Sequence, residues 1–192
     1  MRVRLSLGMR AKELAIGQLL RLAVGFVVSA FLGVLVAVVF PKTAANLFVE
    51  IGKSIAGKVG DREGFGAFLS IYTNNLTVAT SAYALGIFFG IVPWIIVLVN
   101  GFILGLVLAV VVSTGLISPV TAMLAVLPHG IFEIPAILLA AAAGILVYRG
   151  TLKKEGMEVV YASLKLYALS AVLLLVAAFI EAFITPKVAG IG

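Results

Sequence analysis

The sequence predicts an all-α protein, a polytopic bundle of transmembrane helices with about five spans. Of its 192 residues, 63% are hydrophobic and 11% are charged, and the mean hydropathy is +1.26. A soluble domain averages about 45–50% apolar and about 25% charged residues. The apolar residues also fall into runs of about 20, the length that crosses a bilayer as a helix. Most of this chain therefore suits lipid as its solvent.

The apolar runs define the spans, and the whole of 1–192 is predicted to form a single transmembrane domain. The predicted spans cover residues 16–40, 66–90, 93–113, 129–148 and 157–185. Pro41 ends the first, a tight turn at Gly90 and Pro93 separates the second from the third, and Pro186 ends the fifth. The first apolar run has about 20 residues, whereas a signal-peptide core has about 7–15. We therefore expect the first span to be retained.

An amphipathic helix is predicted after the first span, over about 42–62. Polar and charged residues alternate there with apolar residues at helical spacing, namely Ala44, Phe48, Ile51, Ile55 and Val59. A pattern with one apolar face is typical of a helix at an interface. We expect this helix to lie flat on the membrane surface or to cap the bundle.

A re-entrant hairpin is predicted over about 118–130, before the fourth span. The apolar stretch 120–127 is too short to cross a bilayer, and Pro128 follows it directly. A half-helix would enter the membrane, turn at Pro128-His129-Gly130 and lead into the fourth span. Irregular backbone at membrane depth must face protein or water. The hairpin would therefore mark a site inside the bundle.

The basic residues predict the orientation. Five spans with a cytoplasmic N-terminus place one group of basic residues inside the cell: Arg2, Arg4, Arg10, Lys12, Arg149, Lys153 and Lys154. The smaller group outside would be Lys42, Lys53, Lys58, Arg62 and Lys187. The positive-inside rule favours this arrangement. We expect the protein to lie in the cell membrane. The net charge of +6 is explained by orientation, so nucleic acid is not an expected partner.

Three ionisable residues embedded in apolar sequence form the predicted intramembrane polar site. His129 and Glu133 share a helical face, and Glu181 lies near the outer end of the fifth span. Such residues are costly in a membrane and usually mark ion pathways or relays. Either the three residues form a proton or cation site near the outer leaflet, or they form a structural pair that holds the hairpin against the fifth span. Their spacing matches no metal-binding motif, so no metal is assigned.

Asparagines and glycines complete the candidate residues. Asn74 and Asn75 in the second span and Asn100 in the third are expected to hydrogen-bond across helices or to contribute to a ligand site. Two small-xxx-small patterns permit close helix contact, at Gly86 with Gly90 and at Gly101 with Gly105. These glycines pack helices within the monomer or between the protomers of a homodimer.

Enzymatic activity is not expected. The chain has no cysteine, which excludes thiol catalysis and iron–sulfur ligation. It lacks a phosphate-binding loop, a nucleophile elbow, a His-Glu-x-x-His helix and a dinucleotide-binding glycine motif. No catalytic residue and no cofactor are assigned.

The segment Pro128-His129-Gly130-Ile131-Phe132-Glu133-Ile134-Pro135-Ala136 resembles a signature of the stage II sporulation protein M family. The resemblance extends over about 20–185, and Asn74-Asn75 and Asn100-Gly101-x3-Gly105 are similar to other polar positions of that family. It implies a polytopic membrane protein of bacteria or archaea, without an established activity. In endospore formers it implies an anchor for partners that remodel peptidoglycan, although the short regions outside the spans offer little surface for a large partner.

Two functions stay open at this stage. One is a transporter-like or channel-like protein, in which His129, Glu133, Glu181 and the asparagines of the second span line a hydrated cavity; broken helices at binding sites are typical of transporters. The other is a non-catalytic scaffold or anchor subunit that recruits other membrane proteins. The expected partners are accordingly the lipid bilayer, a second copy of the chain, or other membrane proteins.

Overall fold

A computed structural model describes residues 2–59 and 63–190, and every regular element in these residues is helical. The helices are α1 (Arg2–Val39), α2 (Pro41–Val59), α3 (Gly64–Ala84), α4 (Ile91–Ser113), α5 (Pro119–Thr151), α6 (Met157–Phe183) and α7 (Thr185–Ala189). Met1, residues 60–62 and residues 191–192 lie outside this description. The predicted all-α class is confirmed for the described residues.

Helix contacts fix the direction of each long helix. One end of the bundle is formed by the N-terminal part of α1 and the α5–α6 loop, and it is called the proximal end. Ala11 and Ala15 of α1 pack there against Leu146 of α5 and Val159 of α6. α1 and α4 run in parallel away from it, because Phe26 lies against Gly101 and Ala30 against Gly105. The opposite end is called the distal end. α3 must return the chain from the distal to the proximal end before α4 begins.

Within residues 2–59 and 63–190, four helices are long and apolar enough to cross a membrane, which supports a membrane protein. They are Met9–Val39, Ile91–Ser113, Pro119–Thr151 and Met157–Phe183. α3 has 21 residues but carries seven serine, threonine and asparagine residues, so its composition is less apolar. Its direction and its packing beside α5 and α6 still take it along the length of the bundle.

The outer surface of the bundle is apolar, as lipid contact requires. On α1 alone, Val24 is 63% exposed, and Phe31 and Val38 are each 71% exposed. Monomeric soluble proteins rarely expose contiguous apolar surface of this kind. The interior is a helix-packing core in which Leu22, Phe26, Val97 and Ile137 are buried together.

The predicted amphipathic helix exists as α2, which begins at Pro41 as its first residue. Ala44 is fully buried against Ala37 of α1 and Val110 of α4, and Phe48 and Ile51 pack against the same cluster. The apolar face predicted from sequence therefore contacts the distal part of the bundle at these three positions. The side chains of Ile55 and Val59, also assigned to that face, and residues 60–62 lie outside the described part of the chain.

The predicted re-entrant hairpin is wrong, because the backbone at 118–130 continues as a helix. Residues 118–130 do not turn back, because Pro119–Thr151 is one helix of 33 residues with Pro128 and Pro135 inside it. Ser118 is the N-cap of α5, and its Oγ accepts a hydrogen bond from the Thr121 amide at 3.1 Å. Pro119 follows as the first helical residue, a position that proline favours. In a membrane helix an internal proline is tolerated where neighbouring groups compensate for its missing N–H. The apolar stretch 120–127 therefore extends the fourth span instead of preceding it.

Among the other predicted boundaries, the second span ends at Ala84 instead of 90, Pro93 lies inside α4, and α1 begins earlier than predicted; the rest agree to within about three residues. The turn predicted between the second and third spans lies at 85–90, where Gly90 has a φ of +70° that permits the sharp reversal. The last predicted span, 157–185, corresponds to Met157–Phe183. α1 begins earlier than the predicted first span and continues to Val39.

Candidate functional site

α5 presents His129 and Glu133 one turn apart on the same face. His129 Nε2 lies 3.9 Å from Glu133 Oε2, and the two side chains are 15% and 22% exposed. The i,i+4 spacing seen in sequence produces this approach directly, because residues four apart are neighbours on a helix. The pair lies within a helix apolar enough to span a membrane.

Glu181 reaches the same place from α6. One ligand atom of each of His129, Glu133 and Glu181 lies within 4.8 Å of the others. α5 and α6 are antiparallel, so the last turns of α6 come alongside this part of α5. An imidazole and two carboxylates at this separation can share a proton or hold a cation, and they could hold a metal ion.

α7 closes the cluster on the distal side. Thr185, its first residue, is 5% exposed, and its Oγ1 lies 3.4 Å from His129 Nδ1. A hydrogen bond to one ring nitrogen sets which nitrogen is available to the carboxylates. In the sequence, Thr185 is only the last residue of the predicted fifth span, and its location in an apolar stretch gives no sign of a partner 56 residues away.

A cavity of about 230 Å³ adjoins the His129–Glu133 face. It lies between α5 and the α1–α4 pair, with Phe26 from α1 and Asn100, Leu104 and Val107 from α4 in its wall. Asn100 Nδ2 donates to the carbonyl oxygen of Ile96 at 2.8 Å, so this amide is fixed against its own helix. The structure thus brings Asn100, His129, Gly130 and Glu133 to one cavity.

Asn74 and Asn75 lie on α3, outside the residues that line this cavity. Asn74 Nδ2 donates to Asn75 Oδ1 at 3.3 Å. Hydroxyl groups of the same helix mostly bond to carbonyl oxygens one turn back, as Thr77 does to Thr73 at 2.7 Å. A contact between helices is made by Thr80 Oγ1 and the Tyr167 hydroxyl, 2.7 Å apart. The asparagines of the second span are therefore not brought to the cavity.

The small-xxx-small glycines serve contacts within the chain. A Cβ at Gly105 would collide with the carbonyl oxygen of Ala30, and one at Gly101 with the side chain of Ser29. Gly86, in the turn after α3, likewise lies against the backbone of Gly144 on α5. Gly90 packs on Ile145. These contacts explain the glycines without a second protomer, and dimerisation stays a hypothesis.

The stage II sporulation protein M family model matches residues 8–186, nearly the whole chain, with the cluster and the cavity inside the match. The chain belongs to the stage II sporulation protein M family. The resemblance inferred from the segment around His129 and Glu133 is thereby confirmed.

Two similar family proteins come from Methanocaldococcus jannaschii, and both are uncharacterized. One is 42% identical over 131 residues, which cover 64% of this chain and 72% of that protein. The second is 33% identical over 172 residues, which cover 84% of this chain and 72% of that protein. No solved structure matches this chain.

Proposed function

We propose that the protein is a transporter-like or channel-like membrane protein in which His129, Glu133 and Glu181 bind a proton or a small cation during its passage. The observation that carries this proposal is the approach of their ligand atoms to within 4.8 Å. Ionisable residues in spanning helices are costly, and they usually mark ion pathways. With two carboxylates and one imidazole, the cluster favours a cation over an anion.

The position of the cavity supports the same proposal. α1 packs closely on α4, and α5 packs closely on α6, through glycine contacts and small residues. The cavity of about 230 Å³ lies between these two pairs, and His129 and Glu133 face it. Transporters commonly place their binding sites between helix groups that move against each other. A small shift between the pairs would change the access to the cluster.

The proposed topology has five crossings, by α1, α3, α4, α5 and α6, with a cytoplasmic N-terminus in the cell membrane. The direction of α3 supports a fifth crossing, and the basic residues of the proximal end support the orientation by the positive-inside rule. We propose no enzymatic role, because the cavity that His129 and Glu133 line has no recognised nucleophile or cofactor motif.

Ion flux into liposomes tests the proposal. We expect the reconstituted protein to carry protons, Na⁺ or K⁺ down a gradient, and Glu133→Gln and Glu181→Gln each to lower that flux at least tenfold, since each removes an ionisable carboxyl group from the cluster. Glu63→Gln is the matched control, because Glu63 is exposed at the start of α3. Unchanged flux in both cluster variants, or no flux of any of the three ions in the wild type, would reject the proposal.

A scaffold role is the second candidate, and the contact of His129 with Thr185 favours it. This contact, with the approach of Glu181, joins α5, α6 and α7 at one point. Cysteine accessibility separates the two candidates, since the chain has no native cysteine. Labelling of His129→Cys and Glu133→Cys by charged thiol reagents from one side supports transport. If charged reagents label neither cysteine from either side, and Glu133→Gln destabilises the protein, the scaffold role is supported.

A further inference from the structure

We propose that the proximal end of the bundle binds one anionic phospholipid, with its phosphate in a basic cavity between α1, α4 and α5 and an acyl chain in the groove between α1 and α4. This site, called the lipid site below, is separate from the His129 cluster. It consists of two adjoining cavities, and Arg21 and Trp94 belong to both.

The first cavity has a volume of about 560 Å³ and an excess of positive charge. Arg21, Arg149 and Lys153 line it. Glu155 compensates Arg149, whose Nη2 lies 2.9 Å from Glu155 Oε1. No ion pair within the described residues engages Arg21 or Lys153. Two cationic side chains therefore stay available to an anion in this cavity.

Gln18 adds a second, independent sign of a ligand. Its side chain lines the same cavity and is only 6% exposed. No side-chain hydrogen bond engages it within the part of the chain that the structure describes. No enclosed side-chain nitrogen or oxygen among the described residues lacks a partner, so the Gln18 amide is open to the cavity, where a ligand can reach it. The oxygen atoms of a phosphate or glycerol group can accept hydrogen bonds from this amide.

The second cavity continues from the first as an apolar groove of about 450 Å³ on the outer face of the bundle. Its walls are Leu20, Val24 and Val28 of α1 and Leu98 of α4. Gly25 forms the floor, and a Cβ there would lie 2.7 Å from the Trp94 ring, so the ring closes against α1. Such a groove holds a hydrocarbon chain and offers nothing to a soluble anion.

The combination selects an amphiphile whose negative charge and hydrocarbon chain are joined. Basic cavities between helices on the cytoplasmic side of membrane proteins bind anionic lipid headgroups. Aromatic residues border this cavity at Phe89, Trp94 and Tyr148, as is common where a side chain meets the headgroup layer. A zwitterionic lipid would bring its own cation next to Arg21 and Lys153, so charge complementarity favours an anionic headgroup.

Quenching of Trp94 tests the lipid site, because the chain has one tryptophan. The probes are phosphatidylglycerol and phosphatidylcholine, each brominated in an acyl chain, added to the full-length protein in detergent micelles. We expect half-quenching by phosphatidylglycerol at a mole fraction at least tenfold lower than by phosphatidylcholine. Arg21→Gln and Lys153→Gln should each weaken the phosphatidylglycerol effect about fivefold. Lys187→Gln, at the distal end, should change nothing. Arg21→Lys, which keeps the charge, should retain most of the effect.

A second pair of variants tests the groove. Val28→Phe fills it and should weaken quenching by phosphatidylglycerol, whereas Val27→Phe, on α1 beside it and also exposed, should not. Equal quenching by the two lipids would overturn the proposal. Equal behaviour of the two phenylalanine variants would also overturn it. So would displacement of phosphatidylglycerol by an equal concentration of glycerol 3-phosphate, which would show a site for soluble anions.

Discussion

At the scale of single residues, buried hydroxyl groups show how the helices are joined. Ser170 of α6 donates from its Oγ to the carbonyl oxygen of Ala136 on α5 at 2.7 Å, and both residues are fully buried. Ser163, on the same helix and equally buried, donates instead to Val160 of its own helix at 2.6 Å. Both side chains are buried hydroxyl groups, but of these two hydrogen bonds the one from Ser170 links two helices.

Ser170→Ala should therefore destabilise the protein by about 0.6–2 kcal/mol, the range for a hydrogen bond between membrane helices. Ser163→Ala removes a contact within one helix and should have a smaller effect. The free energy of unfolding in mixed micelles with increasing denaturing detergent measures both. Equal losses for the two variants would show that the contact between helices contributes nothing of its own.

The residues of the candidate site on α5 could be predicted from the sequence, whereas the residues that contact them from other helices were harder to predict. The approach of His129 to Glu133 follows from spacing along one helix, so it could be predicted. Thr185 reaches the same region from α7, and no local pattern states that it will. Asn100 is a candidate by its residue type, but its place beside this cavity depends on the packing of α4. Arg21 gave a signal that could have been used, because it is a charge inside an apolar run, but its cavity exists only once α4 and α5 are in place.

At the scale of helices, α1 and α4 pack closely through glycines. Gly33, Gly101 and Gly105 each lie where a Cβ would meet the other helix. At Gly105 the neighbours are backbone atoms of Ala30, which cannot rotate away. Close packing of this type is the main source of association between membrane helices.

Gly105→Leu should separate α1 from α4 at this point and destabilise the protein by about 1–3 kcal/mol, the typical cost of overpacking. The matched control is Gly52→Leu on α2, where a Cβ meets nothing within 4 Å. The midpoint of thermal unfolding in detergent measures both changes. A Gly105→Leu midpoint equal to that of the control would contradict the close approach of the two helices.

Proline explains which helix boundaries could be predicted from sequence. Pro41 stands between an apolar run and an amphipathic segment, and it begins α2 directly after the break at Phe40. Pro128 stands between two apolar runs, and the helix continues through it. The residue type is the same, so the tertiary contacts on either side decide the outcome. Those contacts are not visible in a single sequence.

At the scale of the whole molecule, the two bundle ends differ in charge. The proximal end gathers Lys12, Arg21, Arg149 and Lys153, whereas α2 and α7 place Lys53 and Lys187 at the distal end. Composition alone was sufficient to predict the membrane class, since a chain with 63% hydrophobic residues cannot cover a soluble surface. The cavities could not be predicted, because each lies between helices that are distant in sequence.

Sidedness follows from these ends and can be measured. Cysteines introduced at Lys12 and Lys154 should react with a membrane-impermeant thiol reagent from the same side of sealed vesicles. Cysteines at Lys53 and Lys187 should react from the opposite side. All four positions are exposed, so a lack of labelling would reflect sidedness rather than burial. Four crossings, by α1, α3, α4 and α5, are proposed between positions 12 and 154. Reaction of these two positions from different sides would refute that even number.

The length of α5 has a consequence for the surrounding lipid. Its 33 residues extend about 50 Å, against a hydrocarbon thickness of about 30 Å. Even a tilt of 40°, the upper end of the observed range, leaves a vertical extent of about 38 Å. Its first turns still expose apolar side chains, with Val120 at 66% and Met123 at 58%. Around the distal end, these side chains therefore extend into the headgroup layer unless the leaflet thickens or another apolar surface covers them, and a change in bilayer thickness would act mechanically on the helix that carries His129 and Glu133.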